Sequence, residues 1–163
     1  MNKFARLIWI TVGVLVVGMG IFLSQPLYRY QRARCGETLK LLGNAIRTYK
    51  ADQQGELPHQ LTILSNELDN PAFLVCPGSG HEPGSFANAD SWTDYTFIDW
   101  SVVLGTNPVP GDYPIAYDRF MSNHCSHGIN VLTVDGFVRW DPQAEWLRNF
   151  AAEHPKFKLR IPE

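Results

Sequence analysis

A largely apolar run without a single charged residue extends from Leu7 to Leu23 (LIWITVGVLVVGMGIFL). As one α-helix, about 17 residues would rise about 25 Å, close to the thickness of a bilayer's hydrocarbon core. The basic residues Lys3 and Arg6 precede the run, but no convincing pair of small residues follows it as a cleavage site for a signal peptide. The pattern therefore favours a retained transmembrane anchor over residues 1–26, with a cleaved signal as the alternative.

A helical period continues after the anchor. From Arg32 to Lys50 the apolar residues recur at spacings of three and four, which predicts an amphipathic helix. Pro26 is expected to kink this helix rather than to separate it from the anchor, and Gly55 and Pro58 are expected to end it. The predicted apolar stripe consists of Leu39, Leu42, Ile46 and Tyr49.

The rest of the soluble part, residues 27–163, changes from a helical period to a strand period. A short second helix is predicted over His59–Leu68, with leucines at helical spacing. Strands are predicted over Tyr95–Trp100 and Tyr113–Asp118, each bounded by Gly, Pro or Asn. Helices that come first and antiparallel strands that follow are typical of the α+β class.

The strongest local signal is a β-hairpin over Ile129–Trp140. Asp135-Gly136 between two β-rich runs predicts a two-residue turn, because both positions tolerate positive φ. In that register Val131 faces Trp140. A closing helix is predicted to begin at Asp141-Pro142, with the aspartate as its N-cap and the proline in its first turn.

Composition limits the function only broadly. The formal net charge is −2, so no nucleic-acid partner is expected from charge. Membrane orientation stays open: the positive-inside rule favours a cytoplasmic carboxyl-terminal domain, because more basic residues follow the apolar run than precede it. Three cysteines in a loop-rich, aromatic domain favour export instead. The basic residues after the run are Arg29, Arg32, Arg34 and Lys40.

Two groups of residues resemble known families. The segment Cys35 to Pro58 (CGETLKLLGNAIRTYKADQQGELP), with Leu74-Val75-Cys76-Pro77, resembles pseudopilin-like proteins related to the type II secretion major pseudopilin. The segment from Tyr117 through His124 to Trp140, with Asp135-Gly136, resembles the prepilin-type processing-associated domain, whose signature is a His, nine residues, then Asp-Gly. The resemblance implies a pilin-like fold: a long amino-terminal helix, transmembrane then amphipathic, packed on a small antiparallel sheet.

The resemblance also implies a function. It predicts a non-enzymatic, single-pass protein of the inner (cytoplasmic) membrane with an extracytoplasmic domain, acting as a structural or accessory subunit of a pseudopilus or type II secretion-like assembly. Its partners would be the lipid bilayer and other pilin-like subunits or envelope proteins, reached through the amino-terminal helix. A monomeric, membrane-tethered binding module is the alternative.

Two departures from the family pattern bear on that function. Ten residues, rather than nine, separate His124 from Asp135. The apolar run contains no Glu and no prepilin cleavage motif. In pilins that carboxylate is thought to pair with a neighbour's amino terminus, so the chain is expected to tether rather than to polymerise in the usual way.

The cysteines allow two states. Cys35 and Cys76 stand where the related sequences also place cysteine, so in an exported domain they could form a disulfide. Two buried thiols are the alternative. Cys125 would be the odd cysteine, either free or paired with another chain.

Only one stretch carries metal-ligand residue types close together: His124-Cys125-Ser126-His127. Its spacing is too tight for a zinc site, and a second ligand pair is missing unless His81 contributes. We therefore expect no metal, no cofactor and no catalytic residue. A metal or thiol enzyme built on His124, Cys125 and His127 is the weakest alternative.

Overall fold

The computed structural model describes residues 3–104 and 108–163. Its first element, α1, is one α-helix over Lys3–Asp52 that passes through Pro26. Within the predicted anchor, residues 1–26, the structure describes the side chains of Trp9 and of residues 12–15 only, so most of that prediction lies outside the described side chains. A search of the described residues finds no helix that combines the length and the apolarity needed to cross a membrane.

The carboxyl-terminal half of α1 packs on the rest of the chain as predicted. Leu39, Leu42 and Ile46 of the apolar stripe are buried. The contact is close at Gly43, where an added Cβ would lie 2.9 Å from Cδ1 of Leu132. The helix ends at Asp52, after which Gly55 takes a positive φ of 100°.

Short helical turns follow α1. The predicted helix over His59–Leu68 is instead a 3₁₀ helix over Leu61–Asn66, in which Leu61 and Leu64 are buried. A second 3₁₀ helix spans Pro71–Leu74. Asn70 is its N-cap, and the Asn70 side chain accepts a hydrogen bond from Ala72 N over 2.9 Å. A third, Phe86–Asn88, leads into the short helix α2, Ala89–Trp92.

Four antiparallel strands form one sheet in the order β1-β2-β3-β4. The strands are β1 Tyr95–Phe97, β2 Pro114–Asp118, β3 Gly128–Thr133 and β4 Val138–Pro142. The α+β class is therefore confirmed. The strand predicted over Tyr95–Trp100 is shorter, because Trp100 begins the helix α3, Trp100–Leu104, where the Asp99 side chain accepts a hydrogen bond from Ser101 N. A 3₁₀ helix, Met121–His124, separates β2 from β3.

The register predicted for the hairpin is wrong by one residue. Trp140 lies opposite Asn130, and Arg139 lies opposite Val131. The turn holds three residues rather than two, because Gly136 N donates to Thr133 O and Thr133 N donates to Phe137 O. Gly136 takes a φ of 89°, as in a three-residue turn that ends in a left-handed glycine. Trp140 consequently faces α1, where the Arg32 guanidinium carbon lies 4.5 Å from its ring centroid.

The closing helix, α4, begins later than predicted and spans Glu145–Glu153. Asp141 and Pro142 belong to β4, so the proline is not in the first turn of the helix. Asp141 nevertheless satisfies the helix start, because its two carboxylate oxygens accept from Trp146 N and Leu147 N over 2.9 Å each. A final 3₁₀ helix, Pro155–Phe157, follows.

Candidate functional site

Four polar side chains meet in the interior where α1 crosses the end of the sheet. They are Cys35, Cys76, Asp118 and His124, and each residue is 0% exposed. One ligand atom from each lies within 4.8 Å of all the others. We call this group the Cys-Asp-His cluster.

Each member of the cluster comes from a different segment of the chain. Cys35 lies on α1, on the stripe that continues through Leu39. Cys76 follows the 3₁₀ helix Pro71–Leu74, and its backbone N donates to Oδ2 of Asp94 over 2.9 Å, which holds that loop. Asp118 is the last residue of β2, and His124 ends the 3₁₀ helix Met121–His124.

Asp118 is the centre of the cluster's hydrogen bonds. Its Oδ1 accepts from the Cys35 thiol over 3.0 Å. Its Oδ2 accepts from Asn130 N over 2.6 Å and from Asn130 Nδ2 over 3.2 Å, and lies 2.9 Å from Nε2 of His124. The carboxylate is thus fully buried and joins three elements of the fold.

The two sulfur atoms have further polar neighbours. Sγ of Cys35 lies 3.4 Å from the Tyr95 hydroxyl oxygen. Sγ of Cys76 accepts from Gly78 N over 3.4 Å and lies 3.8 Å from Nε2 of His124. The other imidazole nitrogen, Nδ1 of His124, is buried without a hydrogen-bond partner among the described residues.

The environment shifts the pKa values of the cluster in different directions. Burial raises the pKa of the Cys35 thiol, and hydrogen bonding with Cys76 and the charge of Asp118 raise it further. The hydrogen bond with Cys35 lowers the pKa of Cys76 to about 6 against the effect of burial. Burial alone lowers the pKa of His124, but hydrogen bonds with Asp118 and Cys76 raise it to about 9. Hydrogen bonding therefore opposes burial at Cys76 and His124, whereas at Cys35 the two effects act in the same direction.

The cluster is not arranged as a catalytic triad. In a Cys-His-Asp relay the carboxylate orients the imidazole through the nitrogen that does not face the nucleophile. Here Nε2 of His124 faces both Cys76 and Asp118. All four side chains are also closed to solvent. What the arrangement offers chemically is either a dithiol that can be oxidised or a set of metal ligands.

The disulfide predicted between Cys35 and Cys76 remains a prediction. Both residues are free buried thiols in the structure, and their sulfur atoms lie within 4.8 Å of each other. Both the disulfide and its alternative of two buried thiols therefore stay open. Cys125, the third cysteine, is exposed.

The sequence cluster around His124 is not kept together. Cys125 and Ser126 take φ values of 53° and 58°, so the chain turns away after His124. His127 is exposed, and its Nδ1 lies 2.7 Å from the backbone oxygen of Cys125. His81 pairs instead with Asp94, with Nδ1 2.7 Å from Oδ1. Of these four candidate ligands, His124 alone belongs to the buried cluster in the part of the chain that the structure describes.

The family-motif residues divide between two places. His124 is in the Cys-Asp-His cluster, whereas Asp135 and Gly136 form the hairpin turn. Asp135 Oδ1 accepts from the Thr133 hydroxyl and from Phe137 N. The motif thus contributes one residue to the buried cluster and two to a turn.

Sequence reasoning placed neither Asp118 nor His124 with Cys35 and Cys76, and it did not identify Asp118 as a candidate site residue. Asp118 lies in the Tyr117-Asp118-Arg119 segment of the family resemblance, but no spacing links it to Cys35 or Cys76. The local signal that could have identified it was a carboxylate at the end of the predicted strand Tyr113–Asp118. Comparison with known proteins adds nothing to this assignment, because no family model, no curated protein and no solved structure matches the chain.

Proposed function

We propose that this chain is a non-enzymatic, single-pass membrane protein with a pilin-like domain, acting as a structural or accessory subunit of a pseudopilus or type II secretion-like assembly. The part of the chain that follows α1 and packs on its carboxyl-terminal half is called the head. The main support is the exposure of large apolar side chains on α1 before it reaches the head. Trp9 is 69% exposed, Val14 is 67% exposed and Leu15 is 66% exposed. Exposed apolar side chains on one helix would be stabilised by contact with lipid or with neighbouring helices.

The energetics favour covering this part of α1. Burying apolar surface is worth about 25 cal/mol per Å², so a helix that presents several bare apolar side chains to water is unfavourable. From Lys3 to Arg34 the helix runs about 48 Å at about 1.5 Å per residue, and Cys35 is the first fully buried residue among those whose side chains the structure describes. That length would accommodate a hydrocarbon core of about 30 Å.

The way the head is attached suits a stalk. From Cys35 onwards α1 buries a continuous face against the sheet, and Asn130 Nδ2 on β3 donates to the backbone oxygen of Arg32 over 3.4 Å. The helix therefore enters the head as part of one continuous element. A surface on the amino-terminal part of α1 could then position the head relative to neighbouring subunits or to the membrane.

Crosslinking would test the assembly proposal. A photo-crosslinking amino acid would replace Trp9 or Val14 in the full chain, and Phe137, which is 73% exposed on the hairpin, would serve as the matched head position. We expect protein adducts in membranes from the helix positions and none from Phe137. Lipid adducts alone would favour the monomeric tether, and adducts from Phe137 alone would contradict assembly through the helix.

Membrane insertion needs a separate test. Leu15→Arg would place a charge in the proposed lipid-facing part, at a cost of roughly 2.5 to 3.5 kcal/mol for a helix centre. We expect this variant to shift from the alkali-resistant membrane fraction towards the soluble or aggregated fraction, while Leu15→Ile stays with the membrane. An unmodified chain that is released from membranes by alkali would refute the anchor.

A further inference from the structure

We propose that Cys35, Cys76, Asp118 and His124 bind one divalent cation of the zinc type, as a structural centre that ties α1 to the head. Neither sequence spacing nor the pilin-like resemblance points to this site. It rests on four potential ligand atoms that approach one another only in the folded chain. The centre would be independent of whether the protein assembles with others.

The distances among the ligand atoms suit a small tetrahedral site. With zinc bonds of about 2.3 Å to sulfur and about 2.0 Å to nitrogen or oxygen, neighbouring ligand atoms lie about 3.3 to 3.8 Å apart. Sγ of Cys76 and Nε2 of His124 are 3.8 Å apart. Sγ of Cys35 and Oδ1 of Asp118 are 3.0 Å apart, and Nε2 of His124 lies 2.9 Å from Oδ2 of Asp118. Because one ligand atom from each residue lies within 4.8 Å of the other three, adjustments of at most about 1 to 1.5 Å would bring the set to those values.

The donor set and its burial indicate the class of metal. Two thiolates with one imidazole suit zinc and similar borderline-soft ions better than magnesium or calcium. Four protein ligands that are all 0% exposed leave no open position for a substrate or for bulk water. A closed site of this kind is structural rather than catalytic.

The groups around the cluster include hydrogen-bond donors that would stabilise the negative charge of metal-bound thiolates and carboxylate. Gly78 N donates to Sγ of Cys76, and Asn130 N donates to Oδ2 of Asp118. The Tyr95 hydroxyl lies 3.4 Å from Sγ of Cys35. Such outer hydrogen bonds hold metal ligands in position and stabilise their negative charge.

A metal also fits Asp118 better than a disulfide does. Among the described residues, Oδ1 of Asp118 accepts only from the Cys35 thiol. Oxidation of Cys35 and Cys76 would remove that donor and leave a buried carboxylate oxygen unpaired, which is costly. Metal binding also removes the protons of the two thiols and of Nε2 of His124, releasing them to solvent, but the cation takes their place beside the carboxylate.

The test uses the full chain purified in detergent with a reductant. We expect about one zinc ion per chain by elemental analysis. After chelation, added Co²⁺ should give the thiolate charge-transfer and visible bands of a tetrahedral cobalt–thiolate centre. Cys35→Ser, Cys76→Ser and His124→Gln should each reduce metal content several-fold, whereas Cys125→Ser, which changes the exposed cysteine, should keep it.

A second measurement covers variants that fail to fold. Zinc removal from the unmodified chain should lower its melting temperature, and re-addition should restore it, because a ligand that binds only the folded state stabilises it. A reduced, folded chain that takes up neither Zn²⁺ nor Co²⁺ would overturn the proposal. So would a metal content that Cys125→Ser abolishes or that Cys35→Ser leaves unchanged. A Cys35–Cys76 disulfide, found together with no metal uptake after reduction, would establish the alternative.

Discussion

The thiol of Cys35 donates a hydrogen bond to Oδ1 of Asp118 over 3.0 Å, although the two lie 83 positions apart in the chain. The contact joins the long helix α1 to the end of β2 in a region closed to solvent. Because a buried carboxylate is stable only while its partners remain, this pair couples the attachment of the helix to the integrity of the sheet. Helix and head are therefore expected to unfold together.

Asp118→Asn should destabilise the fold strongly. Asparagine keeps only one acceptor oxygen, so its NH₂ group would face either the Cys35 thiol or the Asn130 donors that now point at the carboxylate. We expect a loss of roughly 2 to 4 kcal/mol in the free energy of unfolding. Urea unfolding followed by tryptophan fluorescence would measure it, with the exposed Asp112→Asn as the control. Equal stability of the two variants would contradict the role given to Asp118.

Gly136→Ala should destabilise the hairpin through its backbone alone. Gly136 has a φ of 89°, and nothing lies within 4 Å of the Cβ that alanine would add. Left-handed backbone costs a non-glycine residue roughly 1 to 2 kcal/mol. Denaturant unfolding should show that loss, and Gly136→Asn should lose less because asparagine adopts this region more readily. A neutral Gly136→Ala would mean that the turn adopts another geometry in solution.

The sequence predicted correctly those features that depend on residues close together in the chain. The spacing of Leu39, Leu42 and Ile46 predicted the buried face of α1, because helical periodicity is a local property. The hairpin was located correctly, yet its register was wrong. Asp135-Gly136 suits both a two-residue turn and a three-residue turn with the glycine last, and only the pairing of Thr133 with Phe137 distinguishes them.

Local sequence patterns did not predict the candidate site, because its residues come from four separate segments of the chain. Cys35 and Cys76 were paired through the family resemblance, but Asp118 and His124 join them only after the sheet has formed on α1. Their closeness in the sequence suggested that His124, Cys125 and His127 form one group. In the structure the backbone is left-handed at Cys125, and Cys125 is exposed whereas His124 is buried. Tertiary contacts bring these residues together, and local patterns in a single sequence do not reveal such contacts.

Stability should fall at alkaline pH because of a buried phenol. Burial raises the pKa of Tyr117 to about 12, although its hydrogen bonds lower it in part. Because the folded value lies above the unfolded value of about 10, this contribution is full below about pH 10 and is lost as pH rises towards 12. The loss would be roughly 2 to 3 kcal/mol. Burial raises the pKa of Tyr95 as well, which acts in the same direction.

Unfolding measured at several pH values would check this, together with the tyrosinate absorbance of the folded chain. Tyr117→Phe should flatten the alkaline decline, and Tyr30→Phe, which removes an exposed phenol, serves as the control. The variant would also lose the hydrogen bond from the Tyr117 hydroxyl to the backbone oxygen of Arg160 at all pH values. An alkaline decline that Tyr117→Phe leaves unchanged would assign it to other groups.

Thiol labelling should distinguish the three cysteines. Cys125 is exposed, whereas Cys35 and Cys76 are 0% exposed. A maleimide should therefore add once to the folded, reduced chain and three times after unfolding under reducing conditions. Mass spectrometry would count the additions. Two or three rapid additions to the folded chain would mean that the buried cluster opens readily.

The same reaction addresses the orientation of the head, because Cys125 is the accessible thiol in the described structure. A membrane-impermeant maleimide applied to spheroplasts should label the full chain if the head is exported, and Cys125→Ser should remove that label. The basic residues Arg29, Arg32 and Arg34 oppose export under the positive-inside rule, so the outcome weighs charge directly against the pilin-like resemblance. Labelling that occurs only after lysis would place the head in the cytosol. It would also remove the oxidising environment that a Cys35–Cys76 disulfide needs, while leaving a zinc–thiolate centre chemically compatible with that compartment.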